Sequence, residues 1–138
     1  MHKANIFYVD DNARSRLLLA SILREIGFNV IEVDDPVDAL ELLEGARFDL
    51  ILLDYQMPGM TGAQLAQKIK KLFPEIPIVM ISGHATLPER ELTHVDAYCG
   101  EGTTLDELIL TIHTLTPAPR AITPRVHVGN SSLWSSST

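Results

Sequence analysis

Four short apolar runs in this chain lead to side chains able to bind a cation or an anion. Ile6 to Val9 stops at Asp10 and Asp11, Leu50 to Leu53 stops at Asp54, Ile76 to Ile81 stops at Ser82, and Ala97 to Cys99 is followed closely by Glu101. Carboxylates brought close together repel and raise one another's pKa unless a cation sits between them. A hard divalent ion that keeps several waters and takes only one or two carboxylates suits such a cluster, so Mg²⁺ is the expected occupant. The other candidates are weaker. His2, His84, His94, His113 and His127 are scattered without zinc-ligand spacing. Lys68, Lys70 and Lys71 read as a solvated helix face, and Cys99 as a small core residue.

Whether the acids meet depends on the elements that carry them. After the first apolar run, Arg14 to Ile26 repeats Leu17, Leu18, Ile22, Leu23 and Ile26 at helical spacing, and Gly27 stops it. Asn29 to Val33 reads as a second strand. Asp35 and Pro36 open a helix carrying Val37, Leu40, Leu42 and Leu43, which ends near Gly45. Leu50 to Leu53 is continuously apolar, as a strand covered on both faces is. Turn residues crowd Met57 to Gly62, and a helix with Leu65, Ile69 and Leu72 on one face then runs to Pro74. Ile76 to Ile81 is a fourth strand, Leu87 to Val95 at best a short helix, Ala97 to Cys99 a fifth strand. Leu105 to Leu115 is a last helix, with Leu105, Leu108, Ile109 and Ile112 inward. Residues 117–138, rich in Pro and Ser and holding the lone Trp134, read as a disordered tail or linker after a domain spanning residues 1–116.

Strands alternating with helices imply an α/β, doubly wound, five-stranded parallel sheet with helices on both faces. All strand ends then share one rim. In the flavodoxin-like order 2-1-3-4-5, the first and third strands are neighbours at the topological switch point, which sets Asp11 against Asp54.

Composition narrows the function further. Eighteen acidic against 11 basic side chains give a formal charge of −7. That argues against nonspecific binding to nucleic acid or anionic membranes. A lone cysteine excludes an internal disulfide, and the N-terminal apolar run is too short for a signal peptide or membrane span, so a cytoplasmic address is expected.

The paired acids after the first strand, Asp54-Tyr55-Gln56-Met57-Pro58-Gly59-Met60-Thr61-Gly62 after the third, and Ser82-Gly83 after the fourth resemble the receiver domain of response regulators in two-component signalling. The resemblance implies that Asp54 accepts a phosphoryl group from a sensor histidine kinase or phosphotransfer protein, in a phosphorelay that can end on a downstream effector. It implies that Asp11, Asp54 and the backbone carbonyl of Gln56 hold Mg²⁺, with Asp10 acting mainly through water. Ser82 would bond the phosphoryl oxygens, and Tyr98 matches the aromatic that reorients with it. Such a domain is no enzyme beyond catalysing its own phosphotransfer. A carboxylate can attack phosphorus once its charge is screened and the phosphoryl oxygens are aligned.

The resemblance departs in two ways, and the lesser is that the stretch from Ser82 to the fifth strand is a few residues short, which shrinks the fourth helix. The family sets a lysine and a proline just after the fifth strand, where this chain has Glu101 and Gly102, and no lysine follows Lys71. Three readings stay open: a receiver still phosphorylated but signalling differently, a degenerate receiver serving as a phosphorylation-independent docking module, or a substitute cation from Arg90, His84 or a partner. A flavodoxin-like nucleotide binder is disfavoured, because the first turn lacks a glycine-rich phosphate cradle and carries acids instead.

Overall fold

The computed structural model describes residues 3–116. The tail expected over residues 117–138, with Trp134, lies outside the described residues. Five strands, β1 (Asn5–Val9), β2 (Asn29–Val33), β3 (Leu50–Asp54), β4 (Ile78–Ile81) and β5 (Ala97–Cys99), form one parallel sheet in the order β2-β1-β3-β4-β5. The flavodoxin-like topology expected from the sequence is the one observed.

Four α-helices, not five, cover the sheet: α1 (Ala13–Ile26), α2 (Pro36–Leu43), α3 (Gly62–Leu72) and α4 (Leu105–Leu115). Between β4 and β5 only a single 3-10 turn forms, Glu89–Leu92. That segment carries no apolar stripe long enough to be held on the sheet, so tertiary packing does not offset the cost of helix nucleation.

Alternation along the buried strands divides the core in two. Ile6 and Tyr8 of β1 with Leu50 and Leu52 of β3 pack under Ala20 and Leu23 of α1 and Leu108 and Ile112 of α4. Phe7, Val9, Ile51 and Leu53 face the other way, against Ala39 and Leu43 of α2 and Leu65, Ala66 and Ile69 of α3. Several side chains expected inward are instead solvent-facing: Leu17 and Leu18 are 57% and 63% exposed, and Ile26, Leu42, Leu72, Leu105 and Val37 are exposed as well. The consecutive leucines at positions 17–19 satisfy more than one helical face, and the sheet selects the face centred on Ala20 and Leu23.

Local signals set where the helices begin. The Asn12 side chain caps α1 by accepting from Ser15 N–H, and Asp35 caps α2 with Pro36 in its first turn. Thr61 with Gln64, and Thr104 with Glu107, form reciprocal capping boxes on α3 and α4. No helix among the described residues is long and apolar enough to cross a membrane.

Candidate phosphoryl-acceptor and metal site

Asp10, Asp11 and Asp54 meet at the C-terminal rim of the sheet, each offering a carboxylate oxygen within 4.8 Å of the others. They are not equivalent. Asp10 is 3% exposed and is the one polar or charged residue fully buried among the described residues. Its Oδ2 accepts from the Tyr8 hydroxyl at 2.7 Å and its Oδ1 from Asn12 N–H at 2.9 Å. With both oxygens held by internal donors, Asp10 suits a role through bridging water better than direct ligation. Arg16 ties the same corner to β2, donating to the Asp10 carbonyl at 2.9 Å while pairing with Glu32 at 3.3 Å. Asp11 is exposed, and Asp54 is half-buried.

Asp54 ends β3, opposite Ile81 of β4. Burial, then the Asp10 charge, then the Asp11 charge, push its carboxyl up to about 7, while N–H groups of Gln56 and Tyr55 pull the other way. A carboxylate this disfavoured by its neighbours is one that a divalent cation would stabilise, so the donor set fits Mg²⁺ on its own chemistry. Burial and the hydrogen bond to Asp10 hold the Tyr8 hydroxyl protonated far above its ordinary range.

The segment after Asp54 is shaped for this. Met57 is buried against the α2 and α3 side of the core and anchors the loop. Gly59 takes a φ of +79°. Gly62 opens α3 against the backbone of Asp54 itself, donating its N–H to the Tyr55 carbonyl at 2.7 Å. Asp54 is shared by two clefts. One, about 460 Å³, is lined by Asp10, Asp11, Asn12 and Gln56. The other, about 510 Å³, lies between α1 and α4 and is lined by Tyr8, Ser82, Gly100 and Thr103.

Ser82 N–H donates to the Cys99 carbonyl at 3.2 Å, which sets the serine beside the end of β5. Tyr98 is half-buried, and its hydroxyl donates to the His84 carbonyl. Glu101 is the second residue of a tight turn closed by Thr103 N–H on the Gly100 carbonyl at 3.0 Å, followed by Gly102 at φ +93°. Its side chain is exposed and lines neither cleft that contains Asp54. Water therefore dilutes its charge, and the turn itself carries no cationic side chain.

Tyr8 and Arg16 were not singled out from the sequence, and His84 entered only as a candidate substitute cation. Parity was a usable signal for the first, since Asp10, one residue past β1, continues the face on which Tyr8 lies.

This fold and this rim define a receiver domain. The chain matches the family model "Response regulator receiver domain" over residues 6–96 and belongs to that family. The matched span ends before Tyr98, Gly100 and Glu101.

Its relatives include the cyclic di-GMP phosphodiesterase response regulator RpfG of Xanthomonas campestris. The two are 40% identical over 82 residues, which is 56% of this chain and 22% of RpfG. The chemotaxis protein CheY of Pseudomonas aeruginosa is 35% identical over 83 residues, 58% of this chain and 67% of CheY. The chain thus spans about a fifth of the first of these relatives. Among solved structures, the response regulator TrrA of Thermotoga maritima in complex with Mg²⁺ and beryllofluoride superposes with a TM-score of 0.76. It is 26% identical, over 81% of this chain and 98% of TrrA. TrrA in complex with the histidine kinase ThkA matches at a TM-score of 0.75, again at 26% identity and over 81% of this chain and 97% of that one.

Proposed function

We propose that this domain takes part in a two-component phosphorelay, accepting on Asp54 a phosphoryl group from the phosphohistidine of a sensor kinase or phosphotransfer protein. The observation that carries the reading is the position of Asp54 between the acidic cleft and the Ser82 cleft. An Asp54 oxygen attacks phosphorus, the bond from phosphorus to the donor imidazole nitrogen breaks, and that nitrogen leaves with the electron pair. Asp11, Asp54 and the Gln56 carbonyl would hold Mg²⁺, with Asp10 reaching it through water. The bound ion supplies positive charge that offsets the carboxylates and the incoming phosphoryl group. Ser82 and nearby backbone N–H groups then receive the phosphoryl oxygens, and Tyr98 responds to the change at Ser82.

TrrA, with its Mg²⁺-beryllofluoride and ThkA complexes, supports both the cofactor and the class of partner. Exposed Leu17 and Leu18 on α1 offer that partner apolar contact, and a downstream effector would read the loaded state. The domain acts as a signalling module and catalyses only its own loading. A cytoplasmic setting fits its single free thiol, Cys99.

Intact-mass analysis after incubation with acetyl phosphate and Mg²⁺ tests the reading. One phosphoryl adduct is expected on the wild-type chain and none on Asp54→Asn. No adduct on the wild type, or one that survives Asp54→Asn, would sink it, and the absence of any adduct would favour a phosphorylation-independent docking module.

The metal assignment is tested separately. Asp11→Ala is expected to weaken Mg²⁺ binding by about tenfold or more, roughly 1.4 kcal/mol, read from amide signals of Asp54 and Gln56 during a Mg²⁺ titration. Unchanged affinity would remove Asp11 from the site.

A further inference from the structure

The loop leaving β4 is pinned around His84. The imidazole Nδ1 lies 3.0 Å from Ser82 Oγ, and His84 N–H donates to that same oxygen at 3.0 Å. The His84 carbonyl accepts from Glu101 N–H at 3.0 Å and from the Tyr98 hydroxyl. A Cβ on residue 100 would stand 2.3 Å from this carbonyl oxygen, so the loop can lie here only because Gly100 has no side chain. The Tyr55 ring meets the imidazole edge-on, centroids 6.1 Å apart. An exposed histidine is thereby fixed beside the hydroxyl that faces the Asp54 cleft.

We propose that His84 is a positioning residue for Ser82 and supplies, when protonated, the positive charge that the turn after β5 lacks. The inference rests on the reading of Asp54 as phosphoryl acceptor and deepens it. Ser82 Oγ already accepts from His84 N–H, so the direction of its single hydrogen is what remains to be set. A neutral imidazole with a bare Nδ1 takes that hydrogen and turns it from the cleft. A protonated imidazole donates to Oγ instead, which frees the serine hydrogen for a phosphoryl oxygen. The same proton brings a cation beside the new anion. Imidazole changes charge near neutral pH, so the loaded state becomes pH-dependent.

The titratable and charged groups around the ring come from every neighbouring element. Tyr55 follows β3, and its hydroxyl donates to Glu91 Oε1 at 2.7 Å. Glu91 and Arg90, 3.9 Å apart, belong to the 3-10 turn. Tyr98 lies on β5 and Glu101 in the turn after it, while Asp54 lines the same cleft as Ser82. Glu91 is engaged by Tyr55 and Arg90, and Glu101 is in water.

Beryllofluoride, which mimics a carboxylate-bound phosphoryl group, provides the test at saturating Mg²⁺. Its affinity is compared between the wild-type chain, His84→Asn and His84→Ala. Comparing each variant with wild type at the same pH cancels the titration of Asp54 common to all three. Wild type is expected to bind about fivefold tighter than either variant near pH 6, with the difference shrinking to less than about twofold near pH 8. The ¹⁵N signal of His84 Nδ1 should also move when beryllofluoride binds, which a purely structural histidine would not explain. Because the side chain is exposed, both variants should melt within a few degrees of wild type. A pH-independent ratio, or an unmoved Nδ1 signal, overturns the role of His84 alone. Failure of the wild type to bind beryllofluoride at either pH would bring down the Asp54 reading and this inference together.

Discussion

Gly62→Ala is expected to lower the stability of the domain by roughly 2–4 kcal/mol and to disturb Asp54 in the same stroke. A Cβ there would stand 2.6 Å from the Asp54 carbonyl oxygen and 3.0 Å from Tyr55 Cα. Both obstacles are backbone, so no side-chain rotation relieves them. Relief requires α3 to back away from the end of β3, which breaks the 2.7 Å bond from Gly62 N–H to the Tyr55 carbonyl. Chemical denaturation gives the stability change, and a Mg²⁺ titration on the folded fraction gives the effect on the site. Gly59 offers a contrast. Its added Cβ meets nothing within 4 Å, and its φ of +79° alone makes alanine costly there, by roughly 1–2 kcal/mol. If Gly62→Ala proved as mild as Gly59→Ala, the close approach at Asp54 would not be the reason for glycine at position 62.

In metal-free buffer, Asp54 is expected to make the fold less stable as pH rises. Its carboxyl is raised from 3.8 to about 7 in the folded state, first by burial and then by the charges of Asp10 and Asp11. Between those values the folded state binds more protons than the unfolded chain, so stability falls through this window and the full penalty is present above about pH 7. The unscreened shift corresponds to about 4 kcal/mol, and because Asp54 is only half-buried, solvent reduces the expected penalty to roughly 1–2 kcal/mol. Asp54→Asn removes it. Without metal the variant should therefore melt several degrees above wild type near pH 8 and alongside it near pH 4. Saturating Mg²⁺ should narrow the gap at pH 8 by binding the wild-type carboxylates. An Asp54→Asn chain no more stable than wild type at pH 8 without metal would show that the three carboxylates are not in strain.

Asp10, Asp11, Asp54 and Ser82 were legible in the sequence because each marks the stop of an apolar run. In a parallel sheet every such stop falls on one rim. The parallel sheet followed from strands alternating with helices, while the order 2-1-3-4-5 was an expectation taken from flavodoxin-like folds, which the structure has. Helix starts were local enough to read: the pair Asp35 and Pro36 opens α2 as its chemistry requires.

The inward face of α1 was not legible, because consecutive leucines fit several faces equally well and only the sheet beneath chose among them. The shortening of the fourth helix was legible, since Leu87 to Val95 offered at best a short helix. Its reduction to a single 3-10 turn was set by how little apolar surface that segment can bury. The partners of the acids were likewise a tertiary decision. Tyr8 reaches Asp10 because both lie on one buried face, and His84 reaches Ser82 because Gly100 lets two backbones meet. Residue types along the chain determined which chemistry is available here. Close approach of segments far apart in sequence decided which hydroxyl, carboxylate and imidazole share it, because contact distances depend on packing and not on spacing.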